Sequence, residues 1–241
     1  TQSTFYGELN KSTHFSRTHE GNKLQIQTHI NPSTLIFNDS IWHMSPSDIS
    51  YCEKQIEINE FEISHAPQYI LIDGIASNRE EDELKIQLND VDLDYIFGTL
   101  NIKNVTFGGN ATGNLLATHL LTGAPRLSTE QFDVKDFSYN EAIFGDLHLF
   151  SMWDNDNQGI LMKGCIENKE DKQTYIDGYI FPTKDSLSLS FDPDKLNIAF
   201  LRPFVSTVIS VISGIASGHI DFFGRFKALN VTGDAYVEIL D

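Results

Sequence analysis

Positive charge is scarce in this chain: 17 Lys and Arg stand against 34 Asp and Glu, leaving a net charge of -17 at pH 7. A surface with that balance repels phosphate backbones and anionic lipid headgroups, which argues against nucleic acid as a partner. Cysteine is nearly absent, with only Cys52 and Cys165. Two cysteines so far apart make no disulfide framework; they pair only if the fold brings them together, and otherwise serve as small apolar residues. Long hydrophobic runs are missing as well. The longest, Phe204 to Ala216, is interrupted by Ser206, Thr207, Ser210 and Ser213, and falls short of the roughly 20 residues of a membrane span. No charged, apolar and small-residue leader precedes the first strand and the first residue is Thr1, so the expectation is a soluble piece of a larger chain.

What is present is a period of two. In the stretch from Gly214 to Lys227, Gly218, Ile220, Phe222, Gly224 and Phe226 fall on one side, and His219, Asp221, Arg225 and Lys227 on the other. Val231, Gly233, Ala235, Val237 and Ile239 repeat the arrangement against Thr232, Asp234 and Glu238. The same spacing of Gly, Ala, Gly and an apolar residue occurs at Gly109, Ala111, Gly113 and Leu115, about 105 residues upstream. Ile72-Asp73-Gly74 matches Ile176-Asp177-Gly178, Asp82 to Leu88 matches Asp185 to Phe191, and Ser40-Ile41-Trp42 matches Ser151-Met152-Trp153. Matches that keep their order argue for an internal duplication. The resulting division is residues 1–34 as N-terminal strands continuing from an upstream region, 35–145 as a first β repeat and 146–241 as a second.

Along the chain, Leu24, Ile26 and Ile30 alternate up to a turn at Asn31-Pro32, and Leu35-Ile36-Phe37 leads into Ser40 to Met44, closed by Ser45-Pro46-Ser47-Asp48. Ile56, Ile58, Phe61 and Ile63 follow, with a parity change at Asn59-Glu60 that predicts a bulge. Ile70, Ile72, Gly74 and Ala76 precede Leu84, Ile86 and Leu88. Later rows are Leu147, Leu149 and Trp153; Ile160, Met162, Gly164 and Ile166; Ile176, Gly178 and Ile180; and Leu187, Leu189 and Phe191. Two helices interrupt the strands, at equivalent places in the repeats. Val91, Leu93, Ile96, Phe97 and Leu100 fit one face of the first, with Asp92 and Asp94 near its start. The second lies between Leu196 and Ser213, with Pro203 at its beginning and Phe204, Val205, Val208, Val211 and Ile212 as its apolar stripe; its β-branched content keeps a strand as the competing reading.

No arrangement of residues reads as a catalytic centre. Asp154-Asn155-Asp156-Asn157-Gln158-Gly159 begins like a calcium loop, but its twelfth position is Cys165 instead of an acid, so a hairpin turn is expected. The eight histidines fit no zinc spacing, and most occupy polar strand positions. Gly214 to Gly218 lacks the serine of a nucleophile elbow, and Gly108 to Gly113 lacks a phosphate-binding lysine. The reading is therefore a protein with no enzymatic activity, no metal and no cofactor.

The ordered set Ser40-Ile41-Trp42-His43-Met44-Ser45-Pro46, Ile72-Asp73-Gly74-Ile75-Ala76, the two Gly-x-Ala-x-Gly-x-apolar strands, Gly145 to Asp154 and Leu201-Arg202-Pro203-Phe204 resembles the TamB family, related to the AsmA-like proteins of Gram-negative bacteria. The likeness covers roughly residues 35 to 241 and matches a fragment from the C-terminal region of such a protein, without its membrane anchor. The resemblance implies a mainly β fold, an elongated curved sheet of the β-taco or β-solenoid-like kind, in the periplasm. It further implies a role in moving phospholipid toward the outer membrane or in assembling outer-membrane proteins.

Read with that family, the apolar rows become candidates for a trench shared by the two repeats and lined by Leu84, Ile86, Leu88, Leu115, Leu187, Leu189, Phe191, Ile220, Phe222, Phe226, Val237 and Ile239. The helix bearing Phe204, Val205, Val208 and Ile212 would either lie over that trench or fill it. Phospholipid acyl chains are then the expected ligand, and an outer-membrane assembly protein the expected partner of the full-length protein. Two other readings stand beside this one: a structural or chaperone module that offers sheet edges to outer-membrane proteins by strand addition, and a glycan-binding or glycan-cleaving β-solenoid using exposed aromatics such as Tyr179 and Phe223.

Overall fold

The computed structural model describes residues 5–19, 21–37, 40–94, 107–122, 124–139, 142–198 and 214–238. Among the described residues the protein is mainly β, with almost no helix, and eighteen strands belong to one open antiparallel sheet. By their contacts the residues group into two compact units, Thr1–Val91 with Thr112–Leu127, and Asp92–Ala111 with Ser128–Asp241.

The first unit contains β1 (Phe5–Glu8), β2 (Lys11–Arg17), β3 (Leu24–Ile30), β4 (Ser33–Phe37), β5 (Ser40–Met44), β6 (Ser47–Cys52), β7 (Gln55–His65), β8 (Gln68–Ala76), most of β9 (Glu83–Asp92) and the second half of β10 (Phe107–Thr118). Strand β7 is where two branches meet. Its first half pairs with β6, which continues through β3 to β2, and its second half pairs with β5, which continues through β4 to β1. The change of partner coincides with a bulge between Ile58 and Phe61, at the position where the parity of the sequence shifts. Glu60 takes a left-handed φ of 48° there, and its N–H, pushed out of the ladder, donates to Asp73 Oδ1 at 3.1 Å. Asp90 (φ 52°) does the same in β9, its N–H donating to Thr112 Oγ1 at 2.9 Å. That second bulge lets Leu88 and Val91, three positions apart, both be buried.

The second unit holds the first half of β10, most of β11 (Arg126–Tyr139), then β12 (Ala142–Asp154), β13 (Gly159–Glu167), β14 (Gln173–Phe181), β15 (Ser186–Asp192), β16 (Leu196–Asn197), β17 (Ile215–Arg225) and β18 (Ala228–Glu238). From β11 to β15 each strand pairs with the next; β15 and the two-residue β16 share β17, and β18 closes the row. Residues 154–159 form the expected hairpin turn: Asp154 Oδ1 accepts the N–H groups of Asp156 and Asn157, and its Oδ2 accepts from Asn157 Nδ2 and from the Tyr179 hydroxyl at 2.9 Å. These donors, Asn157 foremost, hold the Asp154 carboxyl down at about 2.

Several sequence expectations change in detail. Leu35–Phe37 and Ser40–Met44 are two strands of a hairpin, paired Phe37 with Ser40, where the sequence reads as one run. Ser47 and Asp48 open β6, because the turn that ends this strand is built from Glu53 and Lys54, which carry no glycine or proline signal. Val91 and Asp92 close β9 as strand residues; of the first expected helix only Leu93 and Asp94 are described, both helical, and 95–100 lie outside the described residues. Leu196 and Asn197 are strand, because their backbone groups pair with Ala216 and Ile215. The rest of the second expected helix, 199–213 with Phe204, Val205, Val208 and Ile212, lies outside the described residues, as does Ile239. The position 145/146, where the first repeat was expected to give way to the second, falls inside the unbroken strand β12. Among the described residues no helix is long and apolar enough to cross a membrane.

The β6–β7 turn places both Glu53 (φ 51°) and Lys54 (φ 66°) in the left-handed region that two-residue hairpins require and that side chains with a Cβ resist. Lys54→Gly therefore raises the unfolding free energy by about 1 kcal/mol, read as a higher urea midpoint with an unchanged slope. An unchanged or lower midpoint would refute the strain assigned to this turn.

Candidate functional site

Antiparallel register turns the rows of single strands into rungs that cross many strands. In the second unit Leu149, Gly164, Ile176, Phe191, Ile220 and Gly233 are successive partners from β12 to β18. The next rung on the same side is Ser151, Met162, Gly178, Leu189, Phe222 and Val231, and the one beyond is Trp153, Ile160, Ile180, Leu187, Gly224 and Leu229. At the strand spacing of 4.7–4.9 Å, six strands carry such a rung over about 24 Å. Its glycines are places where a neighbouring backbone approaches closely. Gly178 has φ 146°, and a Cβ there would collide with the Ser188 carbonyl oxygen. Phe191 meets Phe222 edge-on at 5.2 Å, and Ile198, Ala216, Ile220 and Phe222 form a buried cluster against which Leu187, Phe191 and Val231 pack.

The first unit has rungs of the same kind. Met44, Ile63, Ile70 and Leu88 are successive partners across β5, β7, β8 and β9, as are Phe61, Ile72 and Ile86 across the last three. Gly74 stands opposite Leu84 with φ 114°, and a Cβ there would strike the Glu83 carbonyl oxygen, the geometry of Gly178 repeated.

Most of the sequence-derived residues therefore fall on these apolar sides. Leu84 and Leu88 are buried and Ile86 half-buried; Leu115 is half-buried, in phase with the buried Ala111 and Ala117 of β10; Leu187, Leu189 and Phe191 are half-buried; Ile220 and Phe222 are buried. Val237 shares the parity of Ala216, its partner, but is 41% exposed. Phe226 leaves the row: β17 ends at Arg225, and Phe226 sits in the two-residue turn to β18, 44% exposed. The register adds Ile70, Ile72, Met162, Ile176 and Ile180 to the candidates. Their period-two spacing is visible in the sequence, but only pairing shows that they continue the same rungs.

The opposite sides carry most of the charged residues, beside a rung of Met152, Leu161, Tyr179, Ser188 and Phe223 in the second unit, and three His–Asp pairs among the described residues join neighbouring strands there. His29 Nδ1 lies 2.8 Å from Asp48 Oδ1, His148 Nδ1 2.6 Å from Asp133 Oδ1, and His219 Nδ1 2.6 Å from Asp192 Oδ1, with Asp221 3.2 Å from its Nε2. Partial burial works against the charge of Asp133, but hydrogen bonds from His148 and Gln131 outweigh it and leave its carboxyl below the usual range. The hydrogen bond to Asp192, helped by the charge of Asp221, raises the pKa of His219 above 6.5. On this side of the first unit lies a hollow of about 710 Å³ lined by Ile49 and by polar residues, among them Ser12, His14, Gln27, Asp48 and Glu57.

Cys52 and Cys165 are free thiols, and burial together with Glu167 pushes the Cys165 thiol up, away from the thiolate a nucleophile needs. Among the described residues no group of three or more His, Cys, Asp and Glu is placed to hold a metal ion. Tyr179, an exposed aromatic by sequence, spends its hydroxyl on Asp154, whereas Phe223 is 40% exposed.

Because the folded-state pKa of His219 is raised, its pairing with Asp192 stabilises the protein fully below pH 6.5 and loses that contribution as pH rises through the raised value. Proton NMR titration should give His219 a midpoint above 6.5, and Asp192→Asn should bring it down. A midpoint that Asp192→Asn leaves in place would rule the pair out as the cause. Comparison of the chain with protein-family models, with curated proteins and with solved structures finds no match.

Proposed function

We propose that the chain is a segment of a TamB-like periplasmic protein whose apolar sides carry phospholipid acyl chains toward the outer membrane, with no chemistry of its own. The observation that carries this reading is the set of apolar rungs crossing β12 to β18, in which Leu187, Leu189 and Phe191 are only half-buried. A rung runs from strand to strand, so an acyl chain lying along it exchanges one leucine or phenylalanine for the next without passing through water. Burying acyl carbons contributes about 0.8 kcal/mol per methylene, so sheltering one tail offsets a barrier on the order of 10 kcal/mol. The polar sides, tied by His–Asp pairs in a chain of net charge -17, keep the other surface wet.

A curved, taco-like sheet of two repeats, each interrupted by a short helix, belongs to the same proposal. Its support is the ordered sequence matches together with the shared geometry of Gly74 and Gly178, each left-handed and each pressed against a carbonyl of the following strand. Through the full-length protein, an assembly protein of the outer membrane would be the receiving partner.

Protein purified from cells should release phospholipid detectable by mass spectrometry, and a photo-crosslinker in place of Leu189 should label acyl chains. Leu189→Asp should reduce lipid transfer between vesicles about tenfold or more, while Ser188→Asp, exposed on the opposite side between Tyr179 and Phe223, should leave it unchanged. Absence of bound lipid together with equal transfer by both variants would sink the lipid reading.

A further inference from the structure

Three turns gather at one end of the second unit, joining β12 to β13, β14 to β15 and β17 to β18. The last two touch, because Phe226 N–H donates to the Asp185 carbonyl at 3.0 Å, and the first is tied to β14 through the Tyr179 hydroxyl, which donates to Asp154. The turn between β17 and β18 is Phe226-Lys227. Neither residue takes a left-handed φ, so the geometry of the turn asks for no special residue, and 44% of Phe226 faces solvent. Phe223, two residues before β17 ends, is 40% exposed; Met152, in the same rung and two residues before β12 ends, is 45% exposed. A single exposed apolar residue is ordinary, but a rung of them beside an apolar turn marks contact with something outside the chain.

Cations collect at the same end. Lys184, Arg225 and Lys227 are exposed, and among the described residues none of them enters an ion pair with an acid. Lys184 Nζ stands instead 4.7 Å over the Phe181 ring. At the other end of these strands the lysines are neutralised, Lys172 by Asp194 at 3.9 Å and Lys195 by Glu170 at 3.0 Å. In the three turns Asp154, Asp156 and Asp185 balance Lys184, Arg225 and Lys227, so this end is neutral in a chain of net charge -17. Repulsion therefore keeps the acidic remainder away from phosphate headgroups and leaves this end able to approach them. We propose that this end of the second unit docks on the surface of a phospholipid bilayer, with Phe226 entering the boundary between headgroups and acyl chains and the three cations on lipid phosphates. Aromatic residues flanked by lysine and arginine suit that boundary, since the apolar stems of the cations lie along the oily layer while their charges stay in water. A free phosphate ion offers the same charge but nothing for Phe226, Phe223 and Met152 to enter, which favours a lipid surface as the occupant.

Docking does not depend on lipid carriage along the apolar rungs, and its test separates the two. On a density gradient the full chain should float with vesicles of phosphatidylethanolamine and phosphatidylglycerol. Phe226→Ser should weaken that binding about fivefold, and Arg225→Glu with Lys227→Glu about tenfold. Tyr236→Ser should leave it unchanged, because Tyr236, though 71% exposed, lies near the opposite end of β18. All of these positions are exposed, and circular dichroism checks that the fold persists. Leu189→Asp, expected to impair lipid transfer, should float like the unsubstituted chain. With Cys52 and Cys165 replaced by serine, an environment-sensitive dye on Ala228→Cys should brighten when vesicles are added, and the same dye on Tyr236→Cys should not. The inference is overturned by a chain that does not float, by turn variants that float as well as the unsubstituted chain, or by a dye that brightens at 236 in place of 228. Displacement by inorganic phosphate at matched ionic strength, together with full binding by Phe226→Ser, overturns it too, by reducing the site to one for a phosphate ion alone.

Discussion

Side-chain register across antiparallel strands is the constraint on which everything else in this protein rests. A strand with apolar residues on one side only is useful when its partner presents the same side at the same height, and a slip of one residue inverts the whole row. The sequence is not perfectly alternating, so the chain corrects its own phase. Glu60, Asp90 and Asp136 each insert a left-handed residue, and each hands its displaced N–H to a side chain of the neighbouring strand: Asp73, Thr112 and Asp146. An orphaned N–H would cost about 1–3 kcal/mol if buried unpaired, so the acceptors are part of the correction. The rungs of isoleucine, leucine, phenylalanine and glycine exist because these bulges keep the apolar residues in step.

The polar sides contribute to the same order by different means. A His–Asp pair between neighbouring strands fixes their relative height through one hydrogen bond and a partial charge interaction, and the three examples lie in both units. Ser190 Oγ donating to Asp221 at 2.6 Å and the exposed Lys163–Asp177 pair act between neighbouring strands in the same way. Exposed pairs of this sort stabilise weakly. Their larger effect is on specificity, since a slipped register would set carboxylate against carboxylate in a chain already rich in acid.

Much of the strand content was legible in the sequence because period-two alternation survives averaging over neighbours. The bulge at Asn59-Glu60, the turn at Asp154 to Gly159 and the phase of Leu187, Leu189 and Phe191 all follow from local pattern. What was not legible is whatever depends on a partner. Strand β6 was hidden because its closing turn uses Glu53 and Lys54, residues whose left-handed conformations are imposed by the hairpin rather than preferred by the side chains. Leu196 and Asn197 read as the start of a helix because only contact with Ile215 and Ala216 makes them strand. The candidate site shows the same division: which face Leu189 and Phe222 occupy is a property of each strand, but that they are neighbours is a property of the ladder. Phe226 illustrates the limit of parity, which lapses where β17 turns.

A net charge of -17 also decides which surfaces of two copies can meet. Within a Debye length of about 8 Å at physiological salt, like-charged surfaces repel, and the polar sides, with their many carboxylates, oppose stacking on one another.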